Sequence, residues 1–288
     1  MTDPATPSFS DRLSNGVFRS LMAAARSLPY RWRVPMVGWV VSRIVSPLAH
    51  YDDRIRKNLA LVCPDLPQAE VERLVRAVPD NVGRTLAEIY SGEEFLARVS
   101  DLPLEGPGVE ALEHAHKENR PVIIAAGHFG NYDAWRGALN ARGYRVGAIY
   151  RPMGNTLFNE HYVEAITTIA EPLFARDSDL RQMLRFLKSG GMVAFGFDQA
   201  FRRGAELEFF GQRAMTPISA AELALKLNAP LVPIYAIRQP DGLSFRILVE
   251  APIPPSTAEE MTQALNDALE VQVRAHMDQW FWIHRRWK

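Results

Sequence analysis

The sequence predicts an α/β fold, a mixed and largely parallel sheet flanked by helices, with a helical N-terminal portion. After residue 100, short apolar runs bounded by turn residues alternate with segments of helical spacing, a pattern typical of buried parallel strands. Before residue 100, helical spacing dominates. The 288 residues, 47% hydrophobic and 23% charged, fit one globular unit over 1–288. We expect a helical portion over 1–100 and an α/β core over 101–288.

The N-terminal portion is basic and amphipathic. Arginines recur every seven residues, apolar residues lie between them and two tryptophans follow: Arg12, Arg19, Arg26 and Arg33, then Val17, Phe18, Leu21, Met22 and Leu28, then Trp32 and Trp39. No acidic residue occurs between Arg12 and Tyr51. Such a stretch suits the interface of an anionic bilayer, where each cation contributes about 1 kcal/mol. The alternative is a helix packed on its own domain with a solvated arginine face.

Two segments bear on export and membrane insertion. Residues Met1 to Ser10 are polar and lack the charged-then-apolar layout of a signal peptide. The most apolar run, Val34–Leu48, is interrupted by Pro35, Arg43 and Pro47 and is shorter than the ~18 residues of a spanning helix. We therefore expect a cytoplasmic protein that is soluble or peripheral to a membrane.

Composition argues against several classes of protein. Lys and Arg number 33, as do Asp and Glu, so a basic nucleic-acid binder is not indicated. The single cysteine, Cys63, cannot form an intramolecular disulfide, which fits a reducing compartment. We expect it to pack as a small apolar residue. HExxH, CxxC, Walker and Rossmann glycine patterns do not occur, so neither a metal site nor a cofactor is expected.

The predicted elements follow in chain order. Helices are expected at Pro67–Arg76 and Asn81–Arg98, with Asp65 and Asn81 as possible caps, before a turn at Asp101–Gly108. Strands are then predicted at Pro121–Ala126, Arg145–Tyr150, Met192–Phe197, Leu231–Ile237 and Leu243–Val249. The intervening and closing helices are predicted at Tyr132–Arg142, Thr156–Ala170, Asp179–Lys188, Pro217–Asn228 and Thr257 to about His284.

Polar residues follow three of these strands. Gly127–Asp133 (GHFGNYD) follows the first, Arg151-Pro152 the second, and Asp198-Gln199 the third. Ligands of open α/β sheets bind beyond the carboxyl ends of the strands. We therefore expect the three strand ends to converge on one rim that carries the functional site.

His128 is the best candidate for a general base. Gly127 and Gly130 allow a tight turn and a close approach of substrate, and Asn131 could cap the following helix. Asp133, in the first helical turn, could then fold back towards the imidazole and fix its tautomer. No serine or cysteine lies near in the sequence, which favours direct attack by an activated hydroxyl over a covalent intermediate.

Further residues have open interpretations. Arg151 lies in an acid-free window, Ala134–Asn159, and could clamp a phosphate. Asp198 could hold a substrate hydroxyl, pair with an arginine or form a structural salt bridge. Two aromatic groups, Phe209-Phe210-Gly211 and Trp280-Phe281-Trp282, could line an apolar groove or belong to the core.

Six ordered segments resemble the bacterial lipid A biosynthesis late acyltransferases, the lauroyl/myristoyl transferase family, within the lysophospholipid and glycerol-phosphate acyltransferase group. They are GHFGNYD (127–133), YRPMGN (150–155), FDQ (197–199), FFGQRAMTP (209–217), APLVPIYAIR (229–238) and QWFWIHRRWK (279–288). The resemblance covers most of the chain after about residue 100. Many relatives carry Glu in place of Asp133 and begin with a membrane-spanning helix, which Val34–Leu48 does not match.

The resemblance implies an acyl-carrier-protein thioester as donor and a Kdo-bearing lipid A precursor as acceptor. It implies His128 as the base and Asp133 as its partner. Substrate-binding roles are expected for Arg151, at an acceptor phosphate, and for Asp198, Gln199 and Asn131. Backbone N–H groups near Gly127–Gly130 or a nearby side chain are candidate oxyanion donors. The expected location is the cytoplasmic face of the bacterial inner membrane, peripheral or monotopic, at an anionic membrane surface.

Three other functions remain open. The acceptor could be another membrane lipid, such as an aminolipid or a mannosylated phosphoinositide. A non-catalytic lipid- or carrier-binding protein could keep the same fold. An esterase or thioesterase is disfavoured because a serine nucleophile motif is missing.

Overall fold

A computed structural model describes residues 8–287 of the chain. The polar segment that lacks the layout of a signal peptide lies mostly outside the described residues, at 1–7. Six α-helices and one π-helical turn make up the described N-terminal portion: α1 (Phe9–Arg26), α2 (Tyr30–Val40), the π-turn (Val41–Val45), α3 (Ser46–Leu48), α4 (Tyr51–Val62), α5 (Gln68–Ile89) and α6 (Glu93–Val99).

Helix α1 begins at a capping box. The Ser8 side chain accepts from the backbone N–H of Asp11, and the Asp11 carboxylate accepts from the backbone N–H of Ser8. Helices α2 and α5 cross at Gly38 and Gly83, where a Cβ on Gly83 would lie 2.8 Å from the Gly38 Cα. Two small residues therefore let the two backbones touch.

The α/β portion contains a seven-stranded sheet and a separate two-stranded hairpin. The strands are β1 (Leu104–Glu105), β2 (Val122–Ala126), β3 (Val146–Tyr150), β4 (Leu173–Ala175), β5 (Met192–Gly196), β6 (Ala205–Phe209), β7 (Gln212–Thr216), β8 (Leu231–Arg238) and β9 (Phe245–Val249). The sheet order is β1-β9-β8-β2-β5-β3-β4, and β6 pairs with β7. Neighbouring strands of the sheet are parallel except β8 and β9, which are antiparallel.

Six helices accompany the strands: α7 (Val109–Lys117), α8 (Ala134–Ala141), α9 (Thr156–Ile169), α10 (Leu180–Lys188), α11 (Ser219–Leu227) and α12 (Ala258–Ala275). The core divides into two clusters, one on each face of the sheet. In β2, Ile123 and Ala125 face one cluster and Val122 and Ile124 the other, as the two-residue period of a strand requires. All five residues of β2 are buried, which accounts for its uninterrupted apolar run.

The predicted α/β class with a largely parallel sheet is confirmed. Strands β2, β5 and β3 are parallel neighbours in that order, so the expected convergence of their carboxyl ends is also confirmed. The predicted break between Pro67–Arg76 and Asn81–Arg98 was wrong, because α5 runs through Pro79 and Asn81 lies inside it. Apolar residues on both sides of Pro79 are buried, and their packing outweighs the lost backbone hydrogen bond.

Other elements were missed or misjudged in length. The long closing helix ends at Ala275 and is followed by a short 3-10 turn, Met277–Gln279. The sequence prediction lacked α4, α7, β1, β4 and the β6–β7 hairpin. Strands β1 and β4 have only two and three residues, too few for alternation to be read.

The basic face expected from Arg12 to Arg33 is only partly confirmed. Arg12, Arg19 and Arg26 are exposed, but Arg33 is buried and its Nη2 lies 2.6 Å from Oε2 of Glu94. Glu94 belongs to α6, outside the acid-free window, so a heptad spacing could not reveal the pairing.

Candidate active site

The loop that follows β2 is held close to β8 at Gly130. This glycine has φ of +57°, and a Cβ there would lie 1.9 Å from the carbonyl oxygen of Ala236. Only glycine fits such an approach. The Gly130 N–H donates to the carbonyl of Gln279, so the loop carrying His128 is anchored to β8 and to the C-terminal segment.

His128 is paired with Asp198, which follows β5. Its Nδ1 lies 2.7 Å from Oδ1 of Asp198, and its backbone N–H donates to Oδ2 at 2.7 Å. The Trp280 indole N–H also donates to Oδ2, at 2.9 Å. Because the ionised carboxylate can only accept, Nδ1 carries the proton and Nε2 is the free acceptor of the neutral imidazole.

Electrostatics stabilise this arrangement as an ion pair when the imidazole is charged. Burial disfavours the imidazolium, but the charge and hydrogen bond of Asp198 outweigh burial and raise the pKa of His128 above its ordinary 6.5. Burial likewise disfavours the Asp198 carboxylate, while His128 and Trp280 lower the pKa of Asp198 below its ordinary 3.8. The carboxylate therefore stays ionised at neutral pH and can support a proton accepted at Nε2.

Gln199 lies at the reactive side of the imidazole. Its Nε2 is 3.2 Å from Nε2 of His128, a position from which the amide N–H donates to the free ring nitrogen. An acceptor hydroxyl would need this same position to deliver its proton. Gln199 thus lies beside the ring nitrogen that a reacting hydroxyl must reach, and its substrate-binding role stays a prediction.

A pocket of about 550 Å³ opens beside His128. It lies between α5, the β2 loop and the C-terminal segment, and is lined by Asn81, Val82, Thr85, Leu86, His128, Gly130, Tyr132, Gln199, Gln279, Trp280 and Phe281. Apolar side chains together with a few polar groups and one perturbed histidine are typical of a small-molecule site. The reactive Nε2 is therefore within reach of a bound ligand.

The expected contact between Asp133 and His128 was wrong. Asp133 is buried at 1% exposure and pairs with Arg136, three residues later. Arg136 also donates to the carbonyl of Ala170 at 2.9 Å, at the end of α9. The side chain of Asp133 therefore ties α8 to α9, and Asp198 occupies the position beside Nδ1.

Asn131, expected to bind substrate, has its side chain engaged inside the protein, and its substrate-binding role stays a prediction. Asn131 is fully buried, its amide donates to Oε2 of Glu88 at 2.8 Å, and its Oδ1 accepts from the Asp133 N–H at 3.0 Å. It does not cap α8 as a helix N-cap, since Asp133 holds that position. These two hydrogen bonds of the Asn131 side chain stabilise the loop after β2 from its buried side.

A buried polar network, which the sequence analysis missed, supports the pocket floor. Arg238, the last residue of β8, forms a two-pronged ion pair with Glu88 and donates to Oδ1 of Asn81 at 2.7 Å. Thr85 donates to the Gly130 carbonyl at 3.2 Å. Glu88, Asn81 and Thr85 lie on one face of α5, a spacing that could have signalled a polar face turned inward.

Three of the backbone N–H groups expected as oxyanion donors in the Gly127–Gly130 loop are engaged in internal hydrogen bonds. The N–H groups of His128, Phe129 and Gly130 already donate to Asp198, to Gly127 and to Gln279 respectively. The side-chain alternative remains, because Gln199 and Tyr132 both line the pocket. The Tyr132 hydroxyl lies 3.1 Å from that of Tyr162, and its burial raises the pKa of Tyr132 to about 12, so it stays protonated.

The remaining expected site residues divide between surface and core. Arg151 is exposed in the loop after β3, next to the strand that carries Asp198; a role at phosphate remains a prediction. Of the two aromatic groups, Trp280 and Phe281 line the pocket. Trp280 also packs in the core with Phe209, Phe210 and Trp282.

Between residues 8 and 287, no helix is both long enough and apolar enough to cross a bilayer.

Comparison with known proteins places this chain in a family. The family model described as bacterial lipid A biosynthesis acyltransferase matches residues 15–288. The chain is 25% identical over 244 residues to a lipid A biosynthesis lauroyltransferase of Escherichia coli, covering 81% of this chain and 78% of the relative. It is also 25% identical over 244 residues to a phosphatidylinositol mannoside acyltransferase of Mycobacterium tuberculosis, covering 82% and 77%. A lipid A biosynthesis myristoyltransferase of E. coli is 21% identical over 287 residues, covering 91% and 83%. The chain belongs to the bacterial lipid A biosynthesis acyltransferase family.

Proposed function

We propose that this acyltransferase moves a fatty acyl chain from an acyl-carrier-protein thioester to a hydroxyl of a lipid A precursor. The observation that carries the proposal is the His128–Asp198 pair beside a largely apolar pocket, with Nε2 of His128 on the side of the ring away from Asp198. A base with its second nitrogen held by a carboxylate is suited to removing a proton from a hydroxyl. Membership of the family supports the lipid acceptor.

In the proposed reaction, the acceptor hydroxyl replaces the Gln199 amide at Nε2 of His128. Its oxygen attacks the thioester carbonyl as Nε2 takes the proton, and a tetrahedral intermediate forms. The intermediate collapses by breaking the carbon–sulfur bond, and the imidazolium returns its proton to the leaving thiolate. Asp198 stabilises the imidazolium between these two steps.

The oxyanion of the intermediate needs donors that are free of internal hydrogen bonds. Because the N–H groups of His128, Phe129 and Gly130 are engaged, the Gln199 amide is the proposed donor once the acceptor has displaced it from Nε2. The apolar side of the pocket, which includes Val82, Leu86 and Phe281, would receive the acyl chain near its carbonyl. Arg151, at the neighbouring strand end, is proposed to contact an acceptor phosphate.

The proposed site of action is the cytoplasmic face of the bacterial inner membrane, with peripheral or monotopic attachment. Both proposed substrates favour it, since acyl carrier protein is soluble and the acceptor is a lipid. No cofactor takes part in the proposed steps, because the thioester itself supplies the activated acyl group.

Purified protein, acyl-carrier thioester and Kdo-bearing lipid A precursor test the proposal directly. We expect an acylated product by mass spectrometry, and His128→Ala should reduce its formation by about 100- to 10,000-fold with unchanged circular dichroism. His114→Ala, an exposed histidine on α7, is the matched control. Retained transfer in His128→Ala would exclude this base.

A glycosylated phospholipid is the second candidate acceptor. The identity to the mycobacterial phosphatidylinositol mannoside acyltransferase equals that to the lauroyltransferase, 25% over 244 residues. Lipid extracts from a gene-deletion strain separate the two acceptors, because only one lipid class should lose an acyl chain. Loss from a phosphoinositide rather than from lipid A would favour this second acceptor.

A further inference from the structure

A second concavity lies on the opposite side of α5 from the loop of His128, between α5 and the π-turn. The tight crossing of α2 and α5 at Gly38 and Gly83 brings the π-turn alongside α5, and the Ser42 hydroxyl donates to the carbonyl of Arg76 at 2.7 Å. The resulting groove has a volume of about 830 Å³. Its lining, which we call the Arg43–Arg76 groove, comprises Trp39, Ser42, Arg43, Ala69, Glu72, Arg73, Arg76, Ala77 and Asp80.

Two guanidinium groups of the Arg43–Arg76 groove are outside the ion pairs that its other charged residues form. Its carboxylates are already paired, Glu72 with Arg56 and Asp80 with Arg84, and Arg73 forms a two-pronged pair with Glu70. Over residues 8–287, neither Arg43 nor Arg76 lies within ion-pair distance of a carboxylate, although the charge of Arg76 helps to lower the pKa of nearby Glu72. Both are exposed, so the groove presents two guanidinium groups to an anion from outside.

The surface of the N-terminal helices, which includes one wall of the groove, is unusually apolar. Of the fourteen large hydrophobic residues that are exposed in the described chain, ten lie between Phe9 and Leu48. On α1, Phe9, Leu13, Val17 and Leu21 recur every four residues, each more than half exposed. Trp32, Met36 and Trp39 are exposed along α2 and lead to Arg43 in the π-turn. A water-facing surface rarely carries so many large apolar side chains.

The exposed apolar and arginine side chains of the N-terminal helices indicate the kind of partner that they bind. Exposed tryptophans and aliphatic side chains next to arginines, without acidic residues from Arg12 to Tyr51, match the interface of a bilayer that carries anionic headgroups. An acidic protein would pair with the arginines, but the exposed apolar residues of α1 would remain in contact with water. Arginine pairs bind phosphate in a two-pronged manner, and π-helical turns often occur at functional sites.

We propose that the Arg43–Arg76 groove binds the phosphate group of an anionic bilayer lipid, while the exposed apolar residues of α1 and α2 enter the membrane interface. The inference deepens the proposed function, since it rests on a membrane lipid as acceptor. The groove is separate from the pocket of His128, and no residue lines both. Binding there holds the enzyme at the membrane without touching the reacting groups.

Co-sedimentation of the full chain with vesicles tests the groove. Vesicles of phosphatidylcholine alone are compared with vesicles that also contain phosphatidylglycerol. Arg43→Gln/Arg76→Gln should weaken binding to the anionic vesicles by about 30-fold and leave binding to neutral vesicles unchanged. The matched control is Arg181→Gln/Arg185→Gln, which removes the same charge from the exposed face of α10, and it should bind as the wild type does.

Two outcomes would overturn the proposal. Equal losses in the two double variants would mean that total charge, not the groove, attracts the bilayer. Unchanged vesicle binding with lost binding to acyl carrier protein would assign the groove to that acidic protein instead. Acyl transfer to an acceptor dispersed in detergent keeps the two proposals apart: the groove variant should turn over at the wild-type rate there. Wild-type protein that binds anionic vesicles but transfers no acyl chain would refute the proposed function and leave the groove standing.

Discussion

The Nδ1 atom of His128 lies 2.7 Å from Oδ1 of Asp198, although the two residues are 70 positions apart in the chain. Parallel pairing of β2 with β5 brings them together, because each follows the carboxyl end of its strand. The nearer carboxylate in sequence, Asp133, is directed to Arg136 instead. Asp198 rather than Asp133 is therefore our proposed partner of the base.

Asp198→Asn should reduce acyl transfer by about 100- to 10,000-fold. The amide keeps the shape of the side chain but removes the charge that stabilises the imidazolium and the acceptor pair that fixes the tautomer. Initial rates of purified variants measure the effect, with Asp267→Asn on the exposed face of α12 as control. Transfer within threefold of the wild type would exclude Asp198 from the reaction.

Asp133→Ala should lower the free energy of unfolding by about 3–5 kcal/mol, because it leaves Arg136 buried without its partner. The matched control is Glu70→Ala, which breaks an exposed ion pair with Arg73 at the same three-residue spacing and should cost at most about 1 kcal/mol. Urea unfolding followed by circular dichroism measures both. Equal small losses would contradict the structural role of Asp133.

Gly130→Ala should lower both stability and transfer. Its new Cβ would meet the Ala236 carbonyl, at a φ of +57°, so the loop that carries His128 must shift. Gly143→Ala is the matched control, with a φ of +83° but open space around the Cβ, and should cost only about 1–2 kcal/mol without loss of transfer. Thermal unfolding and initial rates measure the pair, and indistinguishable variants would argue against a rigid loop.

Leu86→Trp should discriminate against long acyl chains if the pocket holds the chain near the thioester. Each methylene that loses its place costs about 0.8 kcal/mol, roughly fourfold in kcat/KM. Transfer rates over a series of chain lengths measure the effect, with Leu61→Trp, an exposed position on α4, as control. A uniform loss at every chain length would place the chain elsewhere.

Local sequence patterns predicted those parts of the fold that depend on neighbours in the chain. The apolar run of β2 and the polar residues after β2, β3 and β5 can be recognised in the sequence. A buried strand requires consecutive apolar residues, and a strand end permits polar ones. The partner of Arg33 could not be predicted, since Glu94 lies 61 positions away. The same holds for Arg238 and Glu88, 150 positions apart. Asp133 was misassigned because its sequence spacing would allow contact with the His128 imidazole. In the fold, its buried carboxylate contacts Arg136 instead.

The pH dependence of acyl transfer tests the His128–Asp198 pair most directly. A base acts only when neutral, so kcat/KM should rise with pH through the pKa of His128, which Asp198 holds above its ordinary 6.5. In Asp198→Asn the residual activity should rise at lower pH than in the wild type, because burial alone then lowers the pKa of His128. Asp133→Asn should leave the position of this rise unchanged. A rise that moves in Asp133→Asn and stays in place in Asp198→Asn would contradict the pairing.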